Sequence, residues 1–220
     1  MHEYAIIVAY HRDNCPVTLA HFQQLQGLHP GVPVVPVSSS ESSFLPGTVN
    51  VSEVPSRWSL SDPWRSADAV YYRWFEDRNL TARRYVLLEW DVYCDGRLPE
   101  ILSPVWDSPF AAMDYIRPGC DWPWFGEIPS LPDAMRPYAA GVSPFVFLAS
   151  HSALSEVVRH APTEPVYCEL RLGTTLTARG IPVDTMPWLH GTCSWRPELI
   201  RRVARPTLYH PVKTLDQLGF

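Results

Sequence analysis

No apolar run in this chain approaches the ~18 residues that cross a bilayer as a helix, which excludes a transmembrane helix from the sequence reading. The opening Met1-His2-Glu3-Tyr4 has no basic segment followed by an apolar one, so no signal peptide is expected. A soluble, cytoplasmic protein is the expectation. The five cysteines, Cys15, Cys94, Cys120, Cys168 and Cys193, form no CxxC pair. An odd count without framework spacing speaks against disulfides and structural zinc, and for reduced thiols acting as small buried hydrophobes. A basic face is missing as well. The formal charge is −5, whereas a nucleic-acid binder needs many cations against phosphates. Neither an internal repeat nor a linker divides the chain.

What is present fits one α/β domain. A length of 220 residues with 46% hydrophobic residues can bury a sizeable core. Two abundances stand out, 23 prolines and 9 tryptophans. Prolines stop helices and stiffen connections. Tryptophans fill cores or offer flat faces to sugar rings.

The apolar run Ala5–Tyr10 reads as a central strand buried on both faces. The polar segment His11-Arg12-Asp13-Asn14 follows it. Pro16 opens a helical pattern that Gly27 and Pro30 close. Val32–Val37 reads as an edge-like strand, because its two prolines do not suit a central ladder. Ser38–Ser61 reads as a loop with one short strand at Thr48–Val51. Asp62-Pro63 reads as a cap and first residue of a helix running to about Asp77, with Ala67, Val70, Tyr71, Trp74 and Phe75 on its apolar face. Arg84–Asp91 contains a buried strand, Tyr85–Leu88, that ends in acids. Gly96–Pro144 lacks clear periodicity, and a stretch of that length is usually functional. Phe145–Ala149 is a strand, followed by a helix over Leu154–His160 capped by Ser150 or Ser152. Glu164–Arg179 is a helix ended by Gly180, and Ile181–Val183 is a short strand.

Several side chains can carry chemistry. Glu89 and Asp91 are two apart on an extended segment and project to one side. Ligands of open parallel sheets lie beyond the carboxyl ends of strands. Two hard oxygen donors there suit Mg²⁺ or Mn²⁺; a solvated strand end is the other reading. Asp95 is a candidate supporting group. His210 can complete a divalent site, and Lys213 can reach a phosphate; alone, a His before Pro211 is ordinary. Glu169, an acid among apolar residues, can be a general base or half of a surface pair with Arg171. Tyr10, His11, Arg12, Arg65 and Arg73 are candidate nucleotide contacts or ordinary surface residues. Trp122 and Trp124 can stack on an acceptor sugar or form a small hydrophobic cluster.

Taken in order, these features resemble the GT-A fold of nucleotide-sugar glycosyltransferases. The matching elements are the strand Ala5–Tyr10 with its polar end, the helix and strand after it, the helix from Pro63, and the strand ending in Glu89-Trp90-Asp91. The acid-bearing helix around Glu169 and the segment Tyr209–Lys213 complete them. The resemblance implies a single mostly parallel α/β domain. Its donor half would be residues 1–95, and its acceptor half and C-terminal segment 96–220. It implies transfer of a sugar from a nucleotide-diphosphate sugar to an acceptor hydroxyl, with Mn²⁺ or Mg²⁺. Asp91 would be the leading metal ligand, Glu89 would assist, and His210 would be the third ligand. Lys213 would steady the diphosphate, and Glu169 would be the base of an inverting reaction. The family motif is Asp-x-Asp; Glu89 departs from it, which leaves open a metal-independent enzyme relying on Lys213 and arginines. Two other classes compete. A nucleotidyltransferase would want a glycine-rich loop after the first strand, and His11–Pro16 has no glycine. A non-catalytic carbohydrate-binding module would rest on the tryptophan-rich middle.

Overall fold

Two continuous apolar runs, Ile6–Val8 and Tyr85–Leu88, lie side by side in the middle of a seven-stranded sheet and are fully buried. The computed structural model describes residues 1–11, 15–40, 44–60, 62, 65–78 and 80–218. Its elements are β1 (His2–Tyr10), α1 (Pro16–Leu28), β2 (Val34–Ser38), β3 (Val49–Asn50), α2 (Ala67–Asp77), β4 (Ala82–Glu89), β5 (Tyr93–Asp95), α3 (Leu98–Ile101), β6 (Phe110–Ala112), β7 (Tyr115–Ile116), β8 (Gly141–Val142), β9 (Val146–Ser150), α4 (His151–His160), α5 (Cys168–Ala178), β10 (Val183–Thr185) and β11 (Thr207–Tyr209).

The main sheet has the order β10-β6-β9-β4-β1-β2-β3. Every neighbouring pair is parallel except those involving β9, which runs against both β4 and β6. The fold class is therefore mixed α/β with a mostly parallel sheet. Side chains alternate between its two faces. Ala5, Ile7, Tyr85 and Leu87 pack with α2, α4 and α5. Ile6, Val8, Val86 and Leu88 pack with Leu25 of α1, with α3 and with the C-terminal segment. The chain leaves β1 toward β2 and β3, then crosses back to β4 on the other side of β1. The carboxyl ends of β1 and β4 thus form a topological switch point, where open α/β sheets leave a crevice.

Several expectations need correction. β2 is not the edge strand, since β3 pairs outside it; but β3 reaches only Val37 and Ser38, leaving the outer side of Val34–Pro36 without a β3 partner. Pro36 is tolerated there, because a missing N–H on that side breaks no ladder bond. α2 begins at Ala67 rather than Pro63. Asp62 instead closes its own turn: its Oδ1 accepts from the Arg65 N–H at 3.1 Å and its carbonyl from Ser66 N–H at 2.9 Å. Pro63 itself lies outside the described residues. α5 begins at Cys168 rather than Glu164, because Pro165 keeps the residue before it out of helical geometry. Its end is as expected: Gly180 takes φ +63°, and Ile181 N–H reaches back to Leu176 O at 2.9 Å. Ser150, not Ser152, caps α4, accepting from Ala153 N–H at 3.2 Å. Residues 96–144 are more regular than their pattern suggested. Phe110-Ala111-Ala112 forms a fully buried strand of the main sheet, too short for any periodicity to reveal. Cys120 is exposed, unlike the other four cysteines.

α5 is drawn tightly into this frame. A Cβ on Gly173 would collide with the Ala140 carbonyl, so the glycine lets α5 lie directly on the backbone leading into β8. Arg171 does not pair with Glu169. Its guanidinium forks onto Asp68 of α2, Nε to Oδ2 at 2.8 Å and Nη2 to Oδ1 at 2.5 Å. Both side chains are buried, at 5% and 0% exposed. Removing one partner strands a buried charge, which typically costs about 3–5 kcal/mol. Asp68→Ala is expected to lower unfolding free energy by that order in urea titration. A loss below about 1 kcal/mol, the range of exposed pairs, would show that this bridge does not join α2 to α5.

Candidate active site

The strand β4 ends at Glu89, and the chain turns at once, with Val92 N–H bonded to Glu89 O at 3.1 Å. Glu89 follows Tyr85 and Leu87 in the two-residue alternation and faces the side covered by α2 and α5. Asp91 lies within the turn, 2% exposed. Then β5 pairs antiparallel with β11, Tyr93 opposite Tyr209. That register carries the next residue of the C-terminal segment, His210, to the acids. Val212 N–H closes the arrangement on Asp91 O at 2.8 Å.

Glu89, Asp91 and His210 each offer one ligand atom within 4.8 Å of the others. His210 Nε2 is 3.5 Å from Asp91 Oδ1 and 3.8 Å from Glu89 Oε2. Its ring lies flat on Phe145, with centroids 4.1 Å apart. Its Nδ1 is 3.0 Å from the Ser194 carbonyl. A carbonyl can only accept, so Nδ1 carries the proton and Nε2 presents its lone pair to the carboxylates. Burial lowers the pKa of His210 to about 4, against the opposing pull of Asp91. The imidazole is therefore neutral near pH 7.

Asp91 divides its oxygens. Oδ2 binds the Lys213 ammonium. Oδ1 is buried and finds no hydrogen-bond partner among the described residues. An orphaned carboxylate oxygen facing an imidazole lone pair is an electrostatic deficit that a cation would fill. The donor set, two carboxylates and one imidazole, suits Mn²⁺ or Mg²⁺. Burial, then the Asp91 charge, raises the pKa of Glu89 to about 8, with Lys213 opposing. A bound cation would reverse that balance. Lys213 is the only lysine in the sequence. It stands 4.5 Å from the centroid of the Trp90 ring, so both its neighbours hold the charge in place.

These groups line a cavity of about 550 Å³. Tyr10, the last residue of β1, and His11 after it border the cavity. The Tyr10 hydroxyl is 2.7 Å from Thr48 Oγ1, and His11 sets its edge against Trp90 at 5.7 Å. Arg12 lies outside the described residues. Arg65 is turned away, bound to Glu127 at 2.7 Å and to the Pro165 carbonyl at 3.1 Å. Arg73 holds the carbonyls of Val51 and Trp58 and serves the loop 51–58. Asp95 is exposed at the far end of β5 and does not join the cluster.

Glu169 is 2% exposed. Its pKa is raised to about 8 by burial, then by Glu89 and Asp114. It is thus close to Glu89 without being a lining residue of the cavity. Trp122 and Trp124 also stay out of that lining. Trp124 stacks on Tyr167 with centroids 3.7 Å apart. Trp122 packs on Phe125 and fills the space that a side chain at Gly141 would need. Trp122 packs against the cluster of Leu131, Ala139, Val166 and Leu170. Two lining residues carried no signal of function in the sequence. Trp195 is 52% exposed at the cavity, with its edge toward Phe145 and His210. Tyr71 read only as part of an apolar helix face, yet its ring reaches the cavity.

No protein-family model matches this chain. No curated protein matches it by sequence either. Solved structures do match. Mouse xyloside xylosyltransferase 1 aligns over 94% of this chain and 96% of its own, with a TM-score of 0.53 at 12% identity. The bifunctional glycosyltransferase WbbM aligns over 87% of this chain and 40% of its own, with a TM-score of 0.50 at 13% identity. The chain thus has a GT-A-like glycosyltransferase fold.

Proposed function

We propose that this protein is a glycosyltransferase that moves a sugar from a nucleoside-diphosphate sugar to an acceptor hydroxyl, assisted by a divalent cation at Asp91, Glu89 and His210. The observation that carries this reading is the buried, unpartnered Oδ1 of Asp91 facing the free Nε2 of His210, at the cavity where β1 and β4 end. The similarity of fold to glycosyltransferases supports it. Charge supports it too. Glu89 and Asp91 lie together at the cavity beside the ammonium of Lys213. A diphosphate brought beside these acids is favoured by a compensating cation.

When bound, the ion would supply positive charge to the developing diphosphate. Lys213, held by Asp91 Oδ2 and Trp90, adds a point charge to the same leaving group. The bond between the sugar's anomeric carbon and the diphosphate oxygen breaks as the acceptor oxygen bonds to that carbon. The acceptor's proton goes to Glu169 through an intervening water, because Glu169 does not itself line the cavity; its raised proton affinity suits a base. Attack from the face opposite the leaving group inverts the anomeric centre. Residues 1–95 then form the donor half, completed by His210 and Lys213 from the C-terminal segment, while 96–220 serve the acceptor. The half-exposed Trp195 offers a sugar a flat apolar face at the cavity mouth. In the tryptophan-rich middle, Trp124 gives one face to Tyr167 and Trp122 packs edge-on with Phe125, and neither lines the cavity. No described helix is long and apolar enough to cross a membrane.

Mn²⁺ with UDP or GDP is expected to raise the melting temperature, because a ligand bound only by the folded state stabilises it. Asp91→Ala should abolish the rise. No rise in the wild-type protein with any nucleoside diphosphate refutes the donor site. The single lysine permits a second check: mild acylation should modify Lys213, and Mn²⁺ with the active nucleotide should protect it. Glu169→Gln is expected to keep the nucleotide-induced shift while lowering transfer by about 100-fold or more, the usual range for a general base. Equal transfer rates in variant and wild type would remove Glu169 from that role.

A further inference from the structure

The cation reading leaves one feature of the cavity unused. Of the buried side-chain polar atoms that find no hydrogen-bond partner among the described residues, two belong to residues lining the cavity: Asp91 Oδ1 and the Tyr71 hydroxyl. The cation accounts for the first. It cannot account for the second, because a protonated phenol presents a hydrogen. Burial, with Glu89 and Asp91 nearby, keeps that phenol protonated by raising its pKa.

Tyr71 is fixed by its surroundings. It lies in α2, 1% exposed, with its ring edge-on to Phe147 at 5.4 Å. Phenylalanine would satisfy that packing without burying an unpaired hydroxyl, which costs free energy. The neighbouring Tyr72 also has an unpaired hydroxyl among the described residues but does not line the cavity, so what distinguishes Tyr71 is its place at the cavity wall. Its position indicates which part of a ligand it meets. Glu89 from β4, Tyr71 from α2 and Glu169 from α5 all belong to the sheet face covered by those helices. The ammonium of Lys213 stands with Trp90 and Asp91 on the side of the C-terminal segment. An anionic diphosphate belongs with the lysine. An uncharged, hydroxyl-bearing group belongs between a phenol and carboxylates.

We propose that Tyr71 recognises the transferred sugar, donating its phenolic O–H to an oxygen of one sugar hydroxyl. The proposal rests on the donor reading above and adds to it the side chain that senses the sugar rather than the nucleotide. Tyr71→Phe in the full chain tests it. Without ligand, the variant is expected to melt at the same temperature as wild type or above it. Mn²⁺ with UDP or GDP should stabilise both proteins equally. Binding of the intact donor, taken from UDP-glucose, UDP-galactose and GDP-mannose as the one wild type binds best, should weaken about tenfold, the scale of one lost hydrogen bond to a ligand. Deoxy forms of that donor close the cycle: for the one lacking the contacted hydroxyl, variant and wild type should bind alike.

Two results overturn the inference alone. A variant that melts several degrees lower without ligand shows that the hydroxyl serves the fold. A variant that binds the intact donor as wild type does shows that the hydroxyl does not touch the sugar. If wild type responds to no nucleoside diphosphate, the donor reading falls and takes this inference with it.

Discussion

Three residue pairs between β5 and β11 hold the candidate site together. Their antiparallel register brings the C-terminal segment against the turn after β4, so that Lys213 meets Asp91 across 122 positions of sequence. His210 arrives by the same ladder, and Ser194 fixes its tautomer from behind. None of these residues has a local reason to adopt its role. The chemistry depends on backbone pairing, which is indifferent to side-chain identity and therefore leaves the surface of the ladder free to carry acids, an imidazole and an amine.

Much of this was visible in the order of residues. Tyr85–Leu88 followed by Glu89 and Asp91 reads as a buried strand spilling acids into open space, and the structure has that form. A continuous apolar run needs no partner to be recognised, since burial on both faces removes the alternation. What remained hidden depends on contacts. Phe110-Ala111-Ala112 carries too little pattern to announce a strand, and only its neighbours β9 and β10 make it one. The reversed direction of β9 is not encoded in its own composition. Pro63 suggested a helix start, yet the Asp62 carboxylate spends itself on a separate turn. Trp122 and Trp124 look like sugar platforms because a sequence shows tryptophans but not the faces they use. Trp195, with no distinguishing neighbours, lines the cavity together with Trp90.

The acids of the cavity are organised by the division of Asp91 between its two oxygens. Lys213 takes Oδ2 and leaves Oδ1 for a cation, so the lysine and an ion need not compete for one carboxylate. Glu89 is the more accessible of the two acids, a quarter exposed at its side chain, and its raised proton affinity records how poorly the site tolerates a second negative charge in isolation. The longer reach of glutamate at this position keeps that charge on the α2 and α5 side, within the influence of Glu169. The departure from an Asp-x-Asp motif is therefore coupled to Glu169, the base of the proposed reaction. Shortening the side chain would change the electrostatics of Glu169 as well as the proposed cation site.

Polar atoms fare differently along one face of α2. Asp68 is satisfied twice over by Arg171, and a buried charge has been neutralised with good geometry. Three residues on, Tyr71 keeps a hydroxyl without a partner among the described residues beside a cavity, as does Oδ1 of Asp91 from the turn after β4. Unpaired buried groups each cost about 1–3 kcal/mol, a large share of a stability of roughly 5–15 kcal/mol. Other buried polar atoms, among them the Tyr72 hydroxyl and both His21 ring nitrogens, also lack partners among the described residues. Those of Tyr71 and Asp91 differ in belonging to residues that line a cavity, and groups already aimed at a ligand need not reorganise when it binds.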